Sequence, residues 1–511
     1  MGLGRRALLA PRSNASPRGR VVLPFSLFRT VKRQELLLAV PVHTAAHSAR
    51  RAATTVAATS SDSRTVSAAA AVDVDVAEPV AVTPVSAPNK AEEPAPRKPG
   101  QAEDGMFQQH PSVAAWRSWY FSDADYDSTP ERAAAALQRM IGSVVASSPT
   151  DPTSVAYWAY HSARNLFLAL QGVASVTYTD ARKALRGESG TTFSPVATGG
   201  RLVAESYECF RQDLDNIRKG VYKLPWDMTN PSHRQYNPLF VLGSSLRFLT
   251  EADKTLSRRR KSQAEPVWME SAMYPDYYMN TFHYQTDGWL SSASAAIYET
   301  STETLFIGRQ DAMQRNTLIP IHAWLSEGAR DEAEVSLLEV ACGTGRFHTF
   351  IKDNYPQMST TALELSPYYL QAARQNVKYW AQLTGNTRNL SATRFVQAAA
   401  EAIPEPDNSY DVVLSVYLFH EMPRHAQEAA AAEMARVLKP GGLLVFTDSI
   451  QLGDRPVLDA NIAKFEAFNE PHYPAYVNAH IGQMFVDNGL QPHLKSLSSA
   501  TKTLSFRKPS P

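Results

Sequence analysis

The sequence predicts an α/β catalytic domain on a parallel, doubly wound sheet, preceded by an all-α domain and a disordered N-terminal extension. Three observations carry this. From Val335 onward, short apolar runs alternate with helix-spaced segments, the pattern of strands joined by crossover helices. Between Met106 and Leu256 apolar residues recur every three or four positions. Before Met106 the chain is mostly Ala, Ser, Thr, Arg and Pro, which bury little.

The chain of 511 residues is long enough for two or three domains, and 44% hydrophobic with 20% charged residues is a globular mix. A net charge of +1 gives no electrostatic case for a nucleic-acid partner. Two cysteines, Cys209 and Cys342, cannot build a disulfide framework or a Cys-rich zinc site, and no metal is expected. No apolar run reaches the roughly 18 residues of a membrane span.

In order along the chain, residues 1–72 carry Arg5, Arg6, Arg12, Arg18, Arg20 and further arginines, with Glu35 and Asp62 as the only acids. That composition predicts an organellar transit peptide. The long Ala/Ser/Thr-rich part favours the chloroplast over the mitochondrion. Residues 73–105 read as a disordered Pro/Ala-rich linker. A helical domain follows over 106–262, with helices at Ala133–Val145, Val155–Val173, Leu202–Val221 and Pro238–Leu256. Asp123, Asp125 and Asp127 alternate like a calcium loop, but Ser128 and Ala134 replace its Gly and Glu, which leaves a solvated turn.

Residues 263–330 read as an aromatic-rich connecting or lid segment. Its stretch Tyr274–Trp289 suits a pocket wall, and equally a surface packing the helices onto the catalytic domain. Helices are expected at Ala293–Leu305 and Gln310–Leu325, the second kinked or split at Pro320. Over 331–508, strands fit Leu337–Val340, Thr360–Leu365, Arg394–Gln397, Asp411–Val416 and Leu443–Asp448, and helices fit Arg346–Asp353, Pro367–Leu383, Ala426–Leu438 and Val477–Asn488. Leu494–Leu497 and Thr501–Phe506 complete the sheet as an antiparallel pair.

The chemistry centres on Ser336-Leu-Leu-Glu-Val-Ala-Cys-Gly-Thr-Gly-Arg346. A strand, a glycine turn and a helix start make a nucleotide site, because free N–H groups and the positive helix end point at the ligand. The dinucleotide fingerprint G-x-G-x-x-G fails at Ala341 and Arg346, and no Gly-Lys-Ser/Thr follows for a P-loop.

The stretch resembles the first motif of class I S-adenosylmethionine-dependent methyltransferases, E/D-x-G-x-G-x-G, in the type 11 subfamily of the ubiquinone/menaquinone pathway. Glu339 takes the acidic place and Ala341, Gly343 and Gly345 the three glycine places. Four further stretches fit in order: Thr361–Pro367, Gln397–Pro404, Pro406–Pro423 and Arg436–Gly442. The resemblance implies a Rossmann-like seven-stranded methyltransferase sheet with S-adenosyl-L-methionine as cofactor. It implies cofactor contacts at Glu339, Ala341, Gly343, Gly345, Glu364, Leu365, Ala400, Glu401 and Ser415. Glu364 would accept the ribose hydroxyls. Ala399 replaces the Asp that often binds adenine, so the Ala400 backbone or Glu401 would take that part.

No Asn/Asp-Pro-Pro-Tyr follows the fourth strand, which argues against transfer to a planar nitrogen. Oxygen or carbon of a small lipophilic or aromatic acceptor fits better. His420 is the candidate general base, with Glu421, His283 and His472 behind it. Tyr298 and Arg315, before the first strand, are candidates to face the cofactor. Tyr278, His283, Trp289, Tyr417, His472 and Tyr473 are expected to form one acceptor cavity with His420, near the fourth and fifth strands. The alternative of another class is a non-catalytic methyltransferase-like binding or assembly protein.

Overall fold

The computed structural model describes residues 98–119, 130–185, 195–258, 273–279, 285, 287–462 and 470–510. The transit-peptide reading, the Asp123–Asp127 turn and His283 fall outside the described residues.

The sheet is built from β1 (Gln108–Gln109), β2 (Ser336–Val340), β3 (Ser359–Glu364), β4 (Thr393–Gln397), β5 (Tyr410–Val416), β6 (Leu438–Ser449), β7 (Gln491–Ser498) and β8 (Thr501–Arg507). Their order is β4-β3-β2-β5-β6-β8-β7-β1. Only β8 runs against its neighbours, pairing antiparallel with both β6 and β7, as expected for the closing pair. The order reverses between β2 and β5, and ligands of open α/β sheets bind outside the strand ends at such a point.

Both faces of the sheet are covered, which is why the central strands β2, β5 and β6 are mostly apolar rather than strictly alternating. Leu337, Val412, Leu414 and Val445 point to one face and pack with Phe350 and Trp380 of the helices Arg346–Asn354 and Pro367–Thr384. Leu338, Val413, Leu444 and Phe446 point to the other and meet Met434 and Phe485. The helix Pro367–Thr384 shows why these boundaries were readable. Ser366 caps it by accepting from the Tyr369 N–H at 3.2 Å, Pro367 starts it, and Gly385 ends it at φ 75°.

Four expectations need correction. The sheet has eight strands, because residues 98–118, expected as the end of the linker and the start of the helical domain, dock on its edge. Pro99–Glu103 is a helix and β1 pairs parallel with β7. Gly100 sits so close to Asp454 that a Cβ would lie 2.4 Å from the Asp454 nitrogen. Glu103 accepts from the buried Lys502 Nζ at 2.7 and 2.8 Å and lies 3.1 Å from the buried Lys495 Nζ. The acids that made this stretch look like linker are the counter-ions of two sheet lysines.

Second, the helical region is not a separate domain: the helices and the catalytic sheet belong to one compact unit. The helix Pro195–Arg218 is tied in by Asp213, which accepts from Arg315 at 3.0 and 2.7 Å with both side chains buried. The first two bundle helices run longer than expected, Pro130–Ala146 and Pro152–Leu185.

Third, Gln310–Leu325 is two helices, Gln310–Arg315 and Leu318–Glu327. The break falls at Asn316 and Thr317, which donate to Ser496 and Thr503 and to Thr447 respectively. Pro320 lies in the first turn of the second helix, where its missing N–H costs nothing. Fourth, Val477–Asn488 is replaced by two short helices, Tyr473–Val477 and Ile481–Asp487.

Candidate functional site

The turn after β2 carries three consecutive alternate residues in the left-handed region: Ala341 at φ 59°, Gly343 at 56° and Gly345 at 72°. Their reasons differ. A Cβ on Gly343 would meet nothing within 4 Å, so this glycine leaves one side of the turn open. A Cβ on Gly345 would lie 2.9 Å from Ala373, so that glycine lets two helices close. Ala341 bears a left-handed conformation with a side chain. Ala341→Gly is expected to leave stability unchanged or raise it by up to about 1 kcal/mol, read by urea unfolding. A loss of more than that would show that the methyl group packs usefully.

A cavity opens at the carboxyl ends of the central strands. Glu339, Ala341, Gly343, Glu364 and Leu365 line one side, and Ala400 and Glu401 line the next. Tyr278, Trp289, Tyr298 and Tyr417 close it. Tyr417 reaches it because its backbone also turns left-handed, at φ 56°, directly after β5.

Glu364 ends β3 and is saturated. Its Oε2 accepts from the Gly343 N–H at 3.0 Å, and its Oε1 accepts from the Ser366 N–H at 2.9 Å and the Tyr278 hydroxyl at 3.2 Å. Burial lifts its pKa above the usual carboxylate value, and these donors hold it back. Glu401 accepts from the neighbouring Tyr277 hydroxyl at 2.5 Å. Glu339, at the end of β2, has its pKa raised by burial and is oriented by His348, whose Nδ1 lies 2.7 Å from its Oε2. His348 Nε2 in turn lies 3.0 Å from Thr360 Oγ1.

Tyr277 and Tyr278, on the short turn Asp276–Tyr278, thus hold two acids of the cavity at once. With them in place the cavity is about 100 Å³. Ligand pockets begin at roughly 300 Å³, so with these rings in place the cavity is smaller than a nucleoside pocket. Tyr278→Phe removes a competitor for Glu364 and is expected to tighten cofactor binding about two- to tenfold, the worth of one hydrogen bond. Weaker binding by calorimetry would mean that Tyr278 holds the ligand itself.

The acceptor cavity expected from the sequence is only partly assembled. Tyr278, Trp289 and Tyr417 line the cavity together. The two aromatic patches do meet, with the Tyr277 and His472 rings 6.1 Å apart. His472 and Tyr473 nevertheless stay outside the lining: Tyr473 is buried, its hydroxyl 2.7 Å from Ser449 Oγ. Ser415 is buried within β5 away from the cavity.

His420 is also behind the wall. The short turn Phe419–Glu421 directs its Nδ1 to Asp448 at 2.5 Å, while the second Asp448 oxygen accepts from the Phe419 N–H at 2.8 Å. Burial opposes charge on the ring, but Asp448, Glu470 and Glu421 outweigh it and raise its pKa to about 10. These three carboxylates favour the protonated ring, the form that does not serve as a general base. Glu421, 3.5 Å from His420 Nε2, is the neighbour that lines the cavity.

Several lining residues were missed, among them the polar Tyr277, Gln314 and Arg346 and the apolar Phe347, Leu418 and Met422. Arg315 was the expected one, but it turns to Asp213, and Gln314 faces the cavity instead. One residue on a helix is about 100° of rotation, more than pattern reading resolved there. Arg346, the first residue after the glycine turn, is held by Asp227 at 2.5 Å and Asp311 at 2.6 Å.

Residues 338–446 match a family described as a methyltransferase domain. Curated relatives match over short spans. The chain is 27% identical to the fatty-acid O-methyltransferase of Mycolicibacterium smegmatis, over 31% of this chain and 52% of that protein. It is 34% identical to the malonyl-[acyl-carrier protein] O-methyltransferase of a Paenibacillus species, over 22% and 38%. It is 34% identical to the 2-methyl-6-phytyl-1,4-hydroquinone methyltransferase of Synechocystis, over 27% and 40%. The chain thus spans roughly half, or less, of each relative's length. Among solved structures, a SAM-dependent methyltransferase of Aquifex aeolicus is 17% identical, with a TM-score of 0.28 over 38% of this chain and 93% of that one. With the sheet order and the glycine turn, the match over residues 338–446 identifies a class I methyltransferase domain within this chain, of a family that uses S-adenosyl-L-methionine.

Proposed function

We propose that this chain transfers a methyl group from S-adenosyl-L-methionine to an oxygen or carbon atom of a small lipophilic or aromatic acceptor. The observation that carries the reading is the pairing of Glu364 with the open Gly343 turn. A carboxylate with two acceptor oxygens stands at the end of β3 and accepts at 3.0 Å from the Gly343 N–H, in a turn that no side chain crowds. In this reading Glu364 takes the ribose hydroxyls in place of Tyr278. Glu401 and the Ala400 backbone face the adenine, and Glu339 with the turn after it faces the amino-acid end.

The bound cofactor supplies an electrophilic methyl group on its sulfonium. What remains for the chain is to orient the acceptor, exclude water and, for a hydroxyl acceptor, take a proton. Glu421, which lines the cavity, is the group placed for that proton. The aromatic lining and the fatty-acid and hydroquinone acceptors named for the relatives support a lipophilic acceptor. The Arg- and Ala/Ser/Thr-rich residues 1–72 support a site of action in an organelle, the chloroplast before the mitochondrion. A fluorescent fusion of those residues tests this: a diffuse cytosolic signal contradicts it.

One pair of contacts favours a binding protein without turnover: Tyr277 on Glu401 and Tyr278 on Glu364. The two readings separate on transfer. The purified chain is incubated with methyl-labelled cofactor and an organic extract of its source tissue. Label in an organic-soluble product supports the enzyme. Cofactor binding with no labelled product supports the binding protein.

A further inference from the structure

A second cavity adjoins the first. It measures about 470 Å³ and shares Tyr298, Gln314 and Arg346 with the cofactor cavity. That is the size of an ordinary small-molecule pocket. Its outer wall is apolar, with Phe167 and Leu168 on the helix Pro152–Leu185 and Phe240 and Val241 on the helix Pro238–Arg258. The same helix turns expose Leu166, Leu170, Leu239, Leu242 and Leu246 to solvent.

Its inner wall is polar and incomplete. Glu303 Oε2, Gln310 Oε1, Gln314 Oε1 and His233 Nε2 are buried without a hydrogen-bond partner. All four residues line this cavity and are between 5% and 8% exposed. Buried polar atoms without partners are rare, and each costs about 1–3 kcal/mol. Four around one cavity point to a ligand that supplies the partners.

The directions of those bonds define the ligand. His233 Nδ1 accepts from the Gln235 N–H at 3.3 Å, and burial holds the ring neutral with a pKa of about 4. Its proton therefore sits on Nε2, a donor. The orphan oxygens of Gln310 and Gln314 are acceptors, and so is that of Glu303 when ionised, its carboxyl pushed up to about 7 by burial, so the ligand must bring donors. Charge is balanced already: Arg164 faces Glu303 at 3.3 Å, Arg234 faces Glu299 at 3.1 Å and Arg346 faces Asp311 at 2.6 Å. Among the described residues of the lining, each of these arginines is paired, and none is left for an anionic head.

We infer that this second cavity is the methyl-acceptor site, and that it takes an amphiphile with an uncharged head bearing two or more hydroxyl groups. The head meets Glu303, Gln310 and Gln314 next to the cofactor. The tail passes Phe167 and Phe240 and leaves between the two long helices. This assignment rests on the methyl-transfer reading for its role, and on the orphaned atoms for the site itself.

The test uses 4-hexylresorcinol as the probe, titrated into the full chain with and without S-adenosylhomocysteine. One equivalent is expected to bind. Val241→Trp, which fills the mouth, and Gln310→Leu, which removes one acceptor, should each weaken it about tenfold or more. S-adenosylhomocysteine affinity should stay unchanged in both variants, since neither residue lines the cofactor cavity. Gln310→Leu should keep or raise the thermal midpoint, because it deletes a buried orphan, a result that a structural role for Gln310 would reverse. Anionic 4-hexylbenzoate should bind more weakly than the resorcinol. Absence of probe binding, equal binding in both variants, or equal binding of the benzoate overturns the inference. Probe binding without any S-adenosylhomocysteine binding overturns the methyl-transfer reading and the acceptor role together, and leaves the cavity a ligand site.

Discussion

Glu103→Ala is expected to destabilise the chain by about 3–5 kcal/mol, the cost of leaving a buried charge without its partner. Lys495 and Lys502 are fully buried in β7 and β8, with Glu103, Asp104 and Asp454 around them. Glu103 serves both lysines, at 3.1 and 2.7 Å, and Asp454 shares them at 2.6 and 3.5 Å. Lys502 would keep Asp454 at 3.5 Å and the Gln451 carbonyl at 2.6 Å, too little for an ammonium out of water. A chain starting at residue 105 should show the same loss relative to one starting at residue 98. Urea unfolding measures both. A loss under about 1 kcal/mol, the level of an exposed pair, would mean that residues 98–104 only rest on the sheet.

Glu364→Ala is expected to weaken S-adenosyl-L-methionine binding by about 1.5–3 kcal/mol, roughly ten- to 150-fold, as for hydrogen bonds to a charged group. Its sign is opposite to that of Tyr278→Phe. The two residues bond each other at 3.2 Å, so the free protein spends on Tyr278 an acceptor that the ribose would use. Removing the acceptor harms binding, whereas removing the competitor helps it. Both variants weakening binding would place Tyr278 among the ligand's own contacts. Neither having an effect would take the ribose away from β3.

The catalytic sheet was legible because its cues are local. Leu337–Val340 and Val412–Val416 are apolar on both faces, and the Gly343 turn announces a ligand in the residues themselves. Glu339 and Glu364 followed from their places at the ends of β2 and β3. What failed depended on partners distant in sequence. Glu103 reads as linker until Lys502 is known to lie against it. Arg315 and Gln314 differ by one step on a helix, and only Asp213, a hundred residues away, decides which turns inward. His420 follows the fourth strand of the motif, where a base would stand, but Asp448 on β6 captures its ring. The second cavity was invisible for the same reason. Glu303 and Gln310 come from one stretch and His233 from another, and nothing in either stretch marks them as neighbours.

The most direct test is equilibrium binding of S-adenosyl-L-methionine to the full chain by calorimetry. The geometry at Glu364, Gly343 and Glu401 predicts one site per chain, competed by S-adenosylhomocysteine and unaffected by a dinucleotide such as NAD. No detectable binding at millimolar cofactor, or competition by NAD, would contradict it.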